Sequence, residues 1–60
     1  MTIYLVTLRG EMGVRLEAVS AKSATQAAQQ VHRRKNDGVG TTYSVEPEDR
    51  SEQTIEITVD

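Results

Sequence analysis

The sequence contains no cysteine, no tryptophan and no phenylalanine, and it has one proline and one histidine. Each absence excludes something. Without cysteine there is no disulfide to compensate for a small core, and no thiolate metal site or thiol nucleophile. That usage fits a reducing cytoplasm. Without Phe or Trp, the core must come from thirteen Leu, Ile and Val residues and two Tyr. No apolar run approaches the roughly 20 residues of a membrane span. Thr2 to Arg9 reads as a strand and not as a signal peptide, because it has neither a basic lead-in nor a long apolar stretch. The expectation is a cytoplasmic protein with no membrane association.

Sixty residues make a single domain, residues 1–60. A chain this short buries only about 60% of its unfolded surface, so its stability is marginal. A partner or a second copy could supply further burial, so monomer and homodimer both remain open.

What is present is a clear set of periodicities. Ile3 to Leu8 is β-rich and apolar on both faces: Tyr4, Val6 and Leu8 share one side, Ile3 and Leu5 the other. Gly10-Glu11-Met12-Gly13 reads as a hairpin loop with glycines placed for positive φ. Val14, Leu16 and Ala18 then alternate with Arg15, Glu17 and Val19, giving a second strand with one mostly apolar face and one mixed face. Ser23 and Gln26 have the spacing of a capping box. Ala24, Ala27, Ala28 and Val31 follow at helical spacing. Arg33, Arg34 and Lys35 complement the negative end of the helix dipole. Asn36-Asp37-Gly38 reads as a left-handed C-cap. Thr42 to Glu46 alternates with Tyr43 and Val45 inward. Thr54 to Asp60 alternates with Ile55, Ile57 and Val59 on one face. The expected fold is α+β: an antiparallel sheet of three to four strands, in the order β-β-α-β-β, with one helix packed on one face. The last strand is the element most exposed to fraying.

Little here reads as catalytic chemistry. His32 has no partner in the sequence, and neighbouring arginines disfavour its protonation, so it reads as a solvated helix residue. Glu46, Glu48, Asp49 and Glu52 lack calcium-loop spacing. The four glycines form no phosphate cradle. The expectation is a non-enzymatic protein with no catalytic residues, no metal and no cofactor.

The charge is divided by position. Residues 1–35 hold six Lys/Arg against two acids, a balance of +4; residues 36–60 hold Arg50 against seven acids, a balance of −6, and the sum is the net −2. The basic cluster is accounted for by the helix end. Single-strand binders add exposed aromatics as stacking platforms, and Tyr4 and Tyr43 read as core, so no direct nucleic-acid contact is expected. The acidic hairpin is different. Glu46 and Glu56 should point outward from their strands, with Asp60 in line and Glu48, Asp49 and Glu52 on the connecting loop. Alternate strand residues stand roughly 6.5–7 Å apart. A carboxylate ridge at that pitch can enter a basic groove meant for nucleic acid. These six acids are the candidate partner-binding residues.

The run Val19-Ser20-Ala21-Lys22-Ser23-Ala24-Thr25-Gln26-Ala27-Ala28-Gln29-Gln30-Val31, followed by Tyr43-Ser44-Val45-Glu46-Pro47, resembles small bacteriophage inhibitor proteins. Strand, strand, A-x-S-x-x-Q-A-A helix and strand recur in phage inhibitors of bacterial RNA polymerase, and the size also resembles anti-CRISPR proteins. The resemblance covers about residues 3–47, and a fourth strand departs from the simpler ββαβ pattern. It implies inhibition by binding a host protein or nucleoprotein complex with a basic groove, in the host cytoplasm if the chain is phage-encoded. The favoured expectation is an anti-CRISPR protein that blocks DNA recognition by a type I effector. The alternatives are an RNA polymerase inhibitor and a small dimeric structural or assembly module.

Overall fold

The computed structural model of the chain describes residues 1–10 and 13–60. Two nine-residue strands, β1 (Thr2–Gly10) and β2 (Gly13–Ala21), pair antiparallel from Gly10↔Gly13 to Thr2↔Ala21. Glu11 and Met12, the centre of the expected hairpin loop, lie outside the described residues. Of the two flanking glycines, Gly13 takes the positive φ, at 129°. Then come helix α1 (Ala24–Lys35), β3 (Thr41–Pro47) and β4 (Ile55–Val59). β3 pairs with β1, and β4 with β3, all antiparallel, giving the order β2-β1-β3-β4. This is the expected α+β, β-β-α-β-β fold with four strands, and the last strand is part of the sheet.

Local chemistry fixes the helix. Ser23 is the N-cap, and its hydroxyl accepts from the Gln26 amide at 3.1 Å. The Gln26 side chain reaches back to the Lys22 amide at 2.8 Å, one residue before the cap itself. One orphan donor of the first turn, the Gln26 amide, and the Lys22 amide that precedes the cap are satisfied in this way. Ala27, Ala28 and Val31 are buried, so small side chains bring α1 close to the sheet. Asn36 ends the helix in the left-handed region, at φ 55°, with its amide on the His32 carbonyl at 2.8 Å.

The core lies between α1 and one sheet face. It consists of Tyr4, Val6, Val19, Ala21, Ala27, Ala28, Val31, Tyr43 and Val45. No Leu or Ile is fully buried. The register explains this. Tyr4, Val6 and Leu8 share the helix side with Val19, Glu17 and Arg15, and with Pro47, Val45 and Tyr43. The mixed face of β2 therefore turns toward the helix. Its apolar face, with Val14 at 68% and Leu16 at 60% exposure, is left open. Pro47 fits because its nitrogen faces past the end of the β3–β4 pairing, which stops at Val45↔Ile55. Among the described residues no helix is long and apolar enough to cross a membrane.

Candidate functional site

Two groupings of charged residues stand out, one on each side of the sheet. The first lies on the helix side. Arg15, inward-facing on β2, donates to Asp37 through both terminal nitrogens: Nη1 to Oδ1 at 3.1 Å and Nη2 to Oδ2 at 2.6 Å. The Tyr43 hydroxyl donates to the same Oδ2 at 2.5 Å. His32 Nδ1 stands 3.2 Å from that hydroxyl, and the two rings meet edge to face at 6.1 Å and 89°. His32 is thus a half-buried ring with a phenol partner, not the solvated residue expected of it.

The loop after the helix puts Asp37 there. Asn36 turns the chain in the left-handed region, and Gly38 and Gly40 follow with φ of 94° and 81°. The Thr41 hydroxyl then ties the loop down, donating to the carbonyls of Asp37 and Gly38 at 3.1 and 2.9 Å. Beside this group, the Glu17 carboxylate is approached by Arg15 at 3.8 Å, Lys35 at 3.6 Å and Arg34 at 3.9 Å.

The protonation states are driven apart. The Arg15 hydrogen bonds hold the Asp37 carboxyl below its ordinary value, against the opposing effect of burial. Arg15 is raised in turn, first by the hydrogen bond to Asp37. Burial, then the Asp37 bond, pushes the Tyr43 phenol well above its usual value. Asp37 stays ionised, and Tyr43 and Arg15 stay protonated, across neutral pH. A general acid or base works best with a pKa near the working pH, and these three are moved away from it. The arrangement is a strut between β2, the post-helix loop and β3.

The second grouping lies on the open face and its rim. Glu46 on β3 and Glu56 on β4 project there, as expected. Glu56 pairs with Ser44, which makes the two glutamates diagonal neighbours. Glu46 is half-buried and accepts from the Thr54 hydroxyl at 3.0 Å. Glu48, Asp49 and Glu52 are exposed on the β3–β4 connection. The Asp49 carboxylate accepts the Ser51 amide at 3.0 Å, and that bond holds its pKa below the ordinary value. Asp60 departs from the group. It follows β4 at the Gly40 end of the sheet, four residues and roughly 13 Å along the strand from Glu56. Glu46 and Glu56 are thus diagonal neighbours on the open face, Glu48, Asp49 and Glu52 are exposed on the connection between their strands, and Asp60 lies apart at the other end of β4.

Sequence reasoning missed the Arg15–Asp37–Tyr43–His32 strut. The signal was the mixed face of β2. An arginine and a glutamate alternating with Val19 and Ala21 on a helix-facing strand need partners of opposite charge. The only nearby acid after the helix is Asp37.

Among the described residues, no group of three or more His, Cys, Asp or Glu is arranged to hold a metal ion. Comparison with known proteins gives no match: no family model, no curated protein and no solved structure matches the chain.

Proposed function

We propose that this protein is a non-enzymatic inhibitor that acts by binding a basic groove of a nucleic-acid machine. The observation that supports this reading is that Glu46 and Glu56 are diagonal neighbours on the open sheet face, with Glu48, Asp49 and Glu52 exposed on the loop that joins their strands. Asp37, the acid of the C-terminal half that has a full set of cationic and hydroxyl partners, is withdrawn to the other side. Of the five acids, Glu46 and Asp49 accept only from the neutral Thr54 hydroxyl and Ser51 amide, and none is in an ion pair among the described residues. Further support comes from Arg15, Asp37 and Tyr43, which are tied to one another and whose pKa values are shifted away from neutral pH.

The target favoured by the likeness to small phage inhibitors is a type I CRISPR effector, with the acidic surface standing in for DNA phosphates. The test is target-DNA binding by the purified effector, with and without added protein. Inhibition that weakens with salt supports the reading, since the Debye length is about 8 Å at 0.15 M. Undisturbed DNA binding at excess protein removes the CRISPR effector as the target. An in vitro transcription assay then addresses bacterial RNA polymerase, which would present a comparable basic groove to the same five acids.

A further inference from the structure

The sheet has two edges, and they differ in length and chemistry. β4 is five residues long and carries Glu56 on its open face. β2 is nine residues long, with Val14, Leu16 and Ala18 on its open face and no Lys or Pro within it. A short edge with a charge on its open face resists pairing, whereas a long edge with an apolar open face is a template for it. We infer that a second copy of this chain pairs antiparallel with the β2 edge, with Leu16 on the two-fold axis.

The backbone supplies the first argument. The Glu48 amide donates to the Ile3 carbonyl at 2.8 Å, so odd-numbered residues of β1 turn their backbone groups toward β3. The even-numbered residues then bond to β2, at Val19 opposite Tyr4, Glu17 opposite Val6 and Arg15 opposite Leu8. By alternation, the N–H and C=O groups of Val14, Leu16, Ala18 and Ser20 point away from the sheet. An antiparallel neighbour must be bonded through these residues.

The side chains select the register. With Leu16 on the axis, Leu16 meets Leu16, Val14 meets Ala18 of the second copy, and Arg15 meets its Glu17, with both charge pairs repeated by symmetry. Moving the two-fold axis by one residue, a register slip of two, puts Arg15 against Arg15 or Glu17 against Glu17. Like charges directly opposite are destabilising and opposite charges are favourable. Glu17 Oε2 accepts no hydrogen bond among the described residues, and the Arg15 of the second copy, its terminal nitrogens kept on its own Asp37, approaches it with the Nε that the clamp leaves unused. The result is one eight-stranded sheet. Its open face has an apolar centre from both copies of Val14, Leu16, Ile3 and Leu5, and acids at both flanks.

The experiment measures mass in solution by light scattering. The wild-type chain should run at twice its 6.6 kDa mass. Leu16→Lys and Leu16→Glu chains should each run as monomers with an unchanged circular dichroism spectrum, because this side chain is 60% exposed. An equimolar mixture of the two should recover the dimer, since only this register places residue 16 opposite itself. A third variant guards against misfolding of the charged ones. The chain has no cysteine, so Leu16→Cys should oxidise to a covalent dimer, whereas Glu56→Cys on the other edge should not. A monomeric wild type at high concentration, a dimer that survives Leu16→Lys, or a Leu16→Cys chain that fails to cross-link would each overturn the inference.

Discussion

Arg15 clamps Asp37 with two parallel hydrogen bonds, at 3.1 and 2.6 Å, across a separation of 22 residues. The clamp joins an edge strand to the loop that follows the only helix among the described residues. Paired N–H···O bonds between guanidinium and carboxylate are among the stronger side-chain interactions. Arg15 is partly open to water, with its side chain at 38% exposure against 11% for Asp37, so screening reduces the gain.

Loss of the clamp should be visible in equilibrium unfolding. Asp37→Asn removes the charge but keeps the shape, and should lower the urea-unfolding free energy by about 1–2 kcal/mol. Tyr43→Phe leaves the ring packed and removes one donor, so it should cost about 1 kcal/mol. The two losses should not add, because both variants alter the same carboxylate oxygen. Additive losses would contradict a shared network.

Stability should fall at both ends of the pH scale. The folded pKa of Asp37 lies below its ordinary value of 3.8, so its contribution is present above that pH and is lost as the pH falls through the folded value. The folded pKa of Tyr43 lies above its ordinary value of 10.0, so its contribution is present below pH 10 and is lost as the pH rises further. Asp37→Asn should flatten the acid limb of a stability–pH curve, and Tyr43→Phe the alkaline limb. Limbs of unchanged slope would assign the titration to other groups.

Most of this fold was legible in the chain. The alternation of Thr54 to Asp60, the Ser23 cap and the alanine stripe each depend on neighbours a few residues away, and each element formed where its pattern lay. The direction in which β2 faces was not legible. Val14, Leu16 and Ala18 form its more apolar side, yet Val19 and Ala21 fill the space under the helix, and the long-range Arg15–Asp37 bond holds the mixed side inward. Local pattern carries no information about a partner 22 residues away. The acidic surface was half legible for a related reason. Alternation placed Glu46 and Glu56 outward, but the distance of Asp60 from the loop acids depends on which end of β4 each occupies.

The helix start offers a local test. Ser23→Ala removes the acceptor of the Gln26 amide and should cost about 1 kcal/mol, read by thermal or urea unfolding. Ser23→Gly should cost only a few tenths. Equal losses for both would mean that the hydroxyl does not cap the helix.

Arg50 links stability to the proposed function. It sits at φ 57° in the acidic loop, a conformation that costs a non-glycine residue roughly 1 kcal/mol. It is also the sole basic residue of positions 36–60. Arg50→Gly should leave folding stability within about 1 kcal/mol of wild type and should tighten binding to a basic groove. Titration calorimetry with the target protein checks the second effect, and weaker binding would count against contact through this loop.

The central claim is that five clustered carboxylates make the contact, and the most direct measurement removes them together. The variant Glu46→Gln, Glu48→Gln, Asp49→Asn, Glu52→Gln and Glu56→Gln is titrated beside the wild-type chain into a target-DNA binding assay of a type I effector. The account predicts inhibition by the wild type, and a loss of potency of more than about tenfold for the variant, equivalent to about 1.4 kcal/mol, with the folded circular dichroism spectrum retained. A folded variant that inhibits as strongly as the wild type would contradict it.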